Sequence, residues 1–334
     1  MARVDISIRG AGIFGLSIAW ACVRRGARVE VVDPAGPGAG ASGGVVGALA
    51  PHVPETWNAK KAFQFAALIE AEAFWAEVGA VAGEDPGYAR GGRLQPLADE
   101  GAIALARARA ESARVLWDGQ ALWQVEAAPQ GAWSPASPTG LVTRDTLSAH
   151  LHPRRATRAL GRAVVARGGE IVEEGREEGA LVLATGWQGL AEVGGVGVKG
   201  QAALLRHDAR GAPQIFAGGV HVIPHLDGTV AVGSTTERDW TDPTGTDAAL
   251  DEVLEAARAA VPVLRGAEVI ARWAGVRPRS RSRAPILGPH PSRPGTFIAN
   301  GGFKIGFAMA PRAGALLAEL ILEGRDAIPE DFRP

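Results

Sequence analysis

Apolar and polar residues alternate at the start of the chain. Val4, Ile6 and Ile8 are interleaved with Asp5, Ser7 and Arg9, the period of a strand with one buried face. The period then lengthens. Ile13, Leu16, Trp20 and Val23 recur at helix spacing, and Gly26 supplies a stop. Residues 28–33, RVEVVD, return to strand character. Gly10, Gly12 and Gly15 stand between the first strand and the helix. The chain therefore carries G-x-G-x-x-G inside a strand–helix–strand unit, and Asp33 closes the second strand about 20 residues after the glycines. Each glycine has a distinct reason. Gly10 permits the tight turn, Gly12 lets a pyrophosphate approach the backbone, and Gly15 lets the helix pack close on the strand. The helix N-terminus presents free N–H groups to phosphates. Asp33 suits a ribose hydroxyl and argues against a 2′-phosphate. The fingerprint predicts a bound dinucleotide without separating nicotinamide from flavin.

Later segments extend the pattern. Residues 179–189, GALVLATGWQG, read as an apolar strand running into Ala184, Thr185 and Gly186. Residues 222–237, VIPHLDGTVAVGSTTE, read as a hairpin turning at Asp227-Gly228. Residues 301–311, GGFKIGFAMAP, form a glycine-bearing loop, and Pro311 is placed in the first turn of a helix whose apolar face is Leu316, Leu317, Leu320 and Ile321.

Composition narrows the class. The 334 residues are 46% hydrophobic and 21% charged, enough for a large core and two domains. A net charge of −1 favours neither nucleic acid nor an anionic membrane. One cysteine, Cys22, excludes an internal disulfide and fits a reducing cytoplasm. No stretch is long and apolar enough to span a membrane. A homo-oligomer is compatible with the apolar content.

The stretch GPGAGASGGVVGALAPH, residues 36–52, is too rich in glycine for a nicotinamide domain. Here the sequence resembles the FAD-dependent amino-acid and amine oxidases related to D-amino acid oxidase and glycine oxidase. In that family a small-residue loop wraps the FAD diphosphate and reaches the flavin ring. Ala41, Ser42, Gly43, Gly44, Gly47, Leu49, Ala50 and Pro51 match it. Residues 179–189 resemble a second FAD-contacting signature, and residues 198–201 and 222–237 resemble parts of glycine oxidases. Residues 272–289 and 297–324 resemble the family's C-terminal block. The match is looser over roughly 55–140, and only 14 residues separate Gly169 from Ala184 where relatives carry a longer hairpin.

The resemblance implies an α/β (α+β overall) architecture: a Rossmann-like FAD-binding domain and a discontinuous substrate-binding domain on a mostly antiparallel sheet. The expected FAD-binding domain comprises 1–50, 140–200 and 275–334; the substrate-binding domain comprises 51–139 and 201–274. It implies non-covalent FAD held by Gly10, Gly12, Ile13, Phe14, Gly15, Asp33, Ala41, Ser42, Gly43, Gly44, Gly47, Leu49, Ala184, Thr185, Gly186, Gly302, Phe303, Lys304, Ile305 and Gly306. Expected partners are a small amine or amino-acid substrate and O2 or another electron acceptor. Hydride transfer to flavin would give an imino acid, then a keto acid and ammonia, with H2O2 where O2 accepts the electrons. A secondary-amine oxidase and a non-catalytic flavin-binding module are the alternatives.

Three residues are the catalytic candidates. Arg277, in WAGVRP, matches the family's carboxylate-holding arginine, and its planar fork can grip a carboxylate at two points. Arg279, Arg281 and Arg283 read equally as a solvated edge or a phosphate patch. His221 takes the place of a pocket tyrosine in glycine oxidases, and His225 that of an arginine; a solvent-facing strand histidine is the plain alternative. Lys304 reads as a flavin or substrate contact or as a loop lysine. With Tyr88 the one tyrosine, some of the nine tryptophans stand in for the aromatic lids of relatives. No general base is required if the amine binds neutral.

Overall fold

The strand Ile6–Arg9 lies inside a six-stranded sheet, with Val29–Val32 and Ala180–Leu183 parallel to it on either side. Glu170–Val172 and Thr296–Asn300 continue the parallel order outward, and Ile286–Pro289 closes one edge antiparallel. This computed structural model describes residues 4–334. The strand departs from the simple alternation in one respect: Ser7 is as fully buried as Ile6 and Ile8. Both faces of a central parallel strand are covered, and the Ser7 hydroxyl is satisfied by donating to the Glu178 carbonyl at 2.8 Å.

The first helix, Ile13–Val23, is likewise buried at every position rather than along one stripe. It is wedged between the sheet and the C-terminal helix Gly306–Glu323. Gly314 permits that approach, because a Cβ there would stand 2.7 Å from the Ser17 carbonyl. Cys22 sits in this interior, where burial pushes its thiol up to about 12.

The second sheet has eight strands. In spatial order they are Val269–Ser280, Gly195–Arg206, Thr229–Gly233, Val220–Pro224, Gln214–Ala217, Arg93–Pro96, Leu141–Asp145 and Trp123–Ala127. All its pairings are antiparallel except that of Gln214–Ala217 with Arg93–Pro96. Period-2 alternation divides its two faces. Ala203, Leu205, Val222, Val230 and Val232 pack on the helix Ala248–Ala260. Ala202, Leu204, Ile223 and Ala231 face the other way, onto Val45 of the glycine-rich loop. That second face brings the eight-stranded sheet against the loop.

Three segments near the expected domain boundaries pair within the second sheet. Leu141–Asp145 pairs with Arg93–Pro96 in the second sheet. Residues 195–200 and 275–280 belong to that sheet's two longest strands. The helix Ala59–Ala82 packs on the helices Pro153–Ala166 and Gly306–Glu323. Among the described residues, no helix is long and apolar enough to cross a membrane.

Candidate active site

A cleft of about 890 Å³ is lined from both sheets. Its volume lies toward the upper end of small-molecule sites. Gly10 starts the turn at φ +108°, and a Cβ on it would stand 2.4 Å from the Ala184 carbonyl oxygen. Asp33 is aimed by two backbone donors: Ala11 N–H to one carboxylate oxygen at 2.8 Å and Ala35 N–H to the other at 3.1 Å. At the start of the first helix, the Ile13 N–H donates to the Ser42 hydroxyl at 2.9 Å. Ser42 thereby docks the glycine-rich loop on the helix N-terminus.

Gly10, Gly12, Ile13, Phe14, Asp33, Ala41, Ser42, Gly44 and Gly47 all line the cleft. Gly15, Gly43 and Leu49 do not, and each has another task. A Cβ on Gly15 would fall 1.8 Å from the Gly10 carbonyl oxygen, and one on Gly43 would fall 2.2 Å from that of Gly38. Leu49 is fully buried in the core. The two glycines let the chain behind the lining pack closely, and Leu49 belongs to the core beneath it.

On the far wall Ala184, Thr185 and Gly186 meet Gly302, Phe303, Lys304, Ile305 and Gly306. The Asn300 amide donates to the Gly186 carbonyl at 2.8 Å and ties the two segments together. The C-terminal helix begins at Gly306, so a second positive helix end opens on the cleft. Pro311 is the sixth helical residue, not part of the first turn. The loop winds into helix earlier than the proline suggests, and the helix forgoes one internal hydrogen bond there.

Arg277, His221 and Lys304 come together at the second sheet's end of the cleft. The long antiparallel register sets Gly200 opposite Gly275, beside Arg277. A Cβ on Gly200 would stand 2.0 Å from the guanidinium, so the bare backbone makes its room. Arg277 donates to the Ser234 hydroxyl at 2.6 Å and to the Thr235 carbonyl at 3.3 Å. Burial draws its pKa down to about 10, with Glu237 opposing, so it is cationic at neutral pH. Lys304 donates to the Thr236 hydroxyl at 2.9 Å, and its ammonium is disfavoured first by burial and then by Arg277. The His221 ring lies 4.6 Å from that of Phe216, with its Nδ1 buried and unbonded.

Arg93, Phe216, Trp187, Ser234 and Gln64 also line the cleft and were missed by the sequence reading. Arg93 is buried against fully buried Asp145, its Nε donating at 3.0 Å. The two meet as cross-strand neighbours, a register no local motif announces. Trp187, packed edge-on to Trp240 at 5.2 Å, is the tryptophan that reaches the cleft wall. Of the arginine run, Arg279 lies 6.0 Å from the centre of the Phe303 ring, while Arg281 and Arg283 are exposed. His52 reaches the lining, but its Nδ1 is engaged by the Gln64 side chain.

Burial, reinforced by Arg93, Lys304 and Arg277, lowers the His221 pKa from 6.5 to about 3. His221 is therefore neutral at working pH. The sign for stability follows. The unfolded chain takes up the proton below about 6.5 and the folded one does not, so stability falls as pH drops from about 6.5 toward 3, by at most about 1.4 kcal/mol per unit. His221→Asn is expected to flatten this acid dependence of unfolding without adding or removing a limb between pH 6 and 9 in the rate profile. Urea titrations and kinetics across that range check both.

Comparison with known proteins agrees with this geometry. The family described as FAD dependent oxidoreductase matches residues 5–320. A glycine oxidase of Pseudomonas aeruginosa is 34% identical over 168 residues, which span 48% of this chain and 46% of that protein, so the match covers about half of its length. A glycine oxidase of Geobacillus kaustophilus is 27% identical over 96% of this chain and 93% of its own. Among solved structures, iminodiacetate oxidase from Chelativorans superposes with a TM-score of 0.84, 25% identity and 99% coverage of both chains. The nucleotide cradle, the two sheets and a match over nearly the whole length place this chain in the FAD dependent oxidoreductase family.

Proposed function

We propose that the protein oxidises the C–N bond of a small amino acid of the glycine or D-amino acid type. The observation that carries this reading is Arg277, a cation seated in the cleft over Gly200, opposite the cofactor cradle. The cradle suits FAD on its own features: the bare turn at Gly10 and Gly12, the helix start docked by Ser42, and the oriented carboxylate of Asp33. The Ser42 hydroxyl and the backbone at Gly12 would hold the phosphates, and Asp33 the ribose. The segments 44–48 and 302–306 would flank the ring. Non-covalent attachment is supported by the burial of Cys22 and by the engagement of His52 with Gln64.

When bound, FAD supplies a two-electron acceptor: hydride leaves the substrate carbon as the amine becomes an imine, and the electrons pass on to O2, giving H2O2, or to another acceptor. The residues of the chain do the rest. Arg277 grips the carboxylate and fixes which carbon faces the ring. Arg277 and Lys304 together disfavour an ammonium, so the amine binds in its neutral, oxidisable form. His221, neutral and packed on Phe216, can hydrogen-bond the substrate without adding charge. Phe216, Val46 and Trp187 wall the site against water. Water then converts the released imine to keto acid and ammonia.

A specific observation favours a second reading. Lys304 adds a second cation to Arg277 at the same end of the cleft, and Arg93 lines it too, its charge shared with Asp145. Such a lining suits a secondary amine carrying two carboxylates, the kind of molecule named for the Chelativorans enzyme. Anaerobic addition of glycine, sarcosine, D-amino acids and iminodiacetate to the yellow holoenzyme separates the readings. Bleaching of oxidised flavin by glycine or a D-amino acid supports the first, and bleaching by iminodiacetate alone the second; no bleaching by any of them refutes both. Lys304→Met is expected to cost a dicarboxylate about 10- to 100-fold in kcat/KM, the worth of one charge-assisted contact, and glycine much less.

The cofactor-binding and substrate-binding domains are proposed to follow the two sheets, and the single, buried cysteine supports residence in a reducing cytoplasm.

A further inference from the structure

Away from the cleft, two histidines and a carboxylate from distant parts of the chain converge. His152 stands just before the helix Pro153–Ala166, at its N-cap position. His225 and Asp227 lie in the turn joining Val220–Pro224 to Thr229–Gly233. One ligand atom from each of the three falls within 4.8 Å of the other two. The His152 and His225 rings are 4.4 Å apart, and His152 Nε2 is 4.0 Å from an Asp227 oxygen.

The polar accounting here does not close. His225 is 1% exposed, and neither of its ring nitrogens has a hydrogen-bond partner of good geometry, although the Val45 backbone approaches the ring. His152 is 7% exposed, and its Nδ1 is also unbonded. Buried donors and acceptors left unmade are costly, and a shared ligand between the rings would remove that cost. Nothing in the proposed oxidation uses these residues.

We propose that His152, His225 and Asp227 form a site for a divalent transition-metal ion, zinc in type, that clips the hairpin tip to the helix start. Two imidazoles and one carboxylate are a donor set that zinc accepts, with water in the fourth position. Zinc bonds to nitrogen and oxygen of about 2.0–2.2 Å put tetrahedral ligands about 3.4 Å apart. The present separations, up to 4.8 Å, therefore need to close by at most about 1.4 Å, within the reach of side-chain rotation. The Asp227 carboxylate beside His152 would offset part of the charge of a bound cation. Asp227 is exposed at the tip and gives the ion a way in.

The clip would act on the glycine-rich loop. Val45 packs beside His225, and the Leu151 N–H donates to the Gly47 carbonyl at 3.0 Å, so the segment leading to His152 is already knitted to that loop. A metal would fix hairpin, loop and helix start at one point.

The test uses the FAD-loaded protein stripped by chelator and dialysed. Zn2+ alone is titrated by calorimetry, and Co2+ is added separately to read coordination from its visible spectrum. One Zn2+ per chain is expected, with affinity falling by more than about 100-fold in His225→Ala and in Asp227→Asn, beyond the roughly 10- to 100-fold that loss of a mere supporting partner costs. Asp227→Asn keeps the oxygen that accepts from Thr229 in the turn, so it decides the matter if His225→Ala does not fold. His290→Gln, in a remote turn, is expected to bind like the wild type. Zn2+ should raise the unfolding temperature of the wild type and of neither cluster variant. Equal zinc affinity in wild type and Asp227→Asn, or equal thermal shifts, would overturn the proposal.

Discussion

Arg277→Met is expected to lower kcat/KM for the best amino-acid substrate by about 10² to 10³ while leaving the protein yellow. The figure follows from the cost of removing one partner of a buried, hydrogen-bonded charge pair, about 3–4 kcal/mol. Arg277 meets Ser234 and Thr235 by hydrogen bonds, and it faces a cleft in which a carboxylate would lose its water. Removing the guanidinium leaves that anion desolvated without a partner. The flavin cradle is built from other elements, so FAD content should not change. Stopped-flow reduction under anaerobic conditions, with the flavin spectrum recorded beforehand, measures both quantities. Arg277→Lys should recover only a small part of the loss, because an ammonium offers no planar fork. Unchanged reduction kinetics in Arg277→Met would remove the carboxylate anchor from the mechanism.

Gly10→Ala is the second large effect. A Cβ at this position meets two penalties. The backbone is held at φ +108°, outside the range that L side chains adopt readily, and the new carbon would stand 2.4 Å from the Ala184 carbonyl oxygen. Left-handed strain costs about 1–2 kcal/mol, and displacing packed backbone about 1–3 more. The movement opens the turn where it meets Ala184 and Thr185, so the variant is expected to purify without FAD and to unfold at lower temperature. Gly36→Ala is the control. Its φ is +81°, yet nothing lies within 4 Å of the added carbon, so it should carry the strain alone and keep its flavin. Equal flavin content in the two variants would show that the close approach to Ala184 is not what shapes the cradle.

Much of the cofactor side was legible in the chain because its geometry is local. A strand, a glycine turn, a helix and an acidic strand end lie within the first 33 residues, and each step follows from neighbours in sequence. Ser42 was legible as part of the small-residue loop, though its bond to the Ile13 N–H was not. The local reading failed where burial came from elsewhere. The first helix was read from four apolar residues at helix spacing and is enclosed on all sides, because the C-terminal helix, some 290 residues away, covers its outer face. Gly15, Gly43 and Leu49 lie behind the cleft lining: a Cβ on either glycine would strike backbone, as the reading of Gly15 expected, and Leu49 is buried in the core.

The nucleotide fold was set by residue type and spacing, while the flavin loop and the arginine of the second sheet were legible through their resemblance to the family's motifs. φ-permissive glycines, apolar period and a carboxylate at a strand end act over a few residues, so they survive in the linear text. The company that Arg277 keeps was decided only by the tertiary structure. Lys304 arrives from the C-terminal loop and Arg93 from a strand set by cross-strand register, while Gly200 clears space across an antiparallel pair. The convergence of His152 with His225 and Asp227 has the same origin. Charge and desolvation depend on distance in space, and strand register and helix packing set that distance between residues that no sequence window holds together.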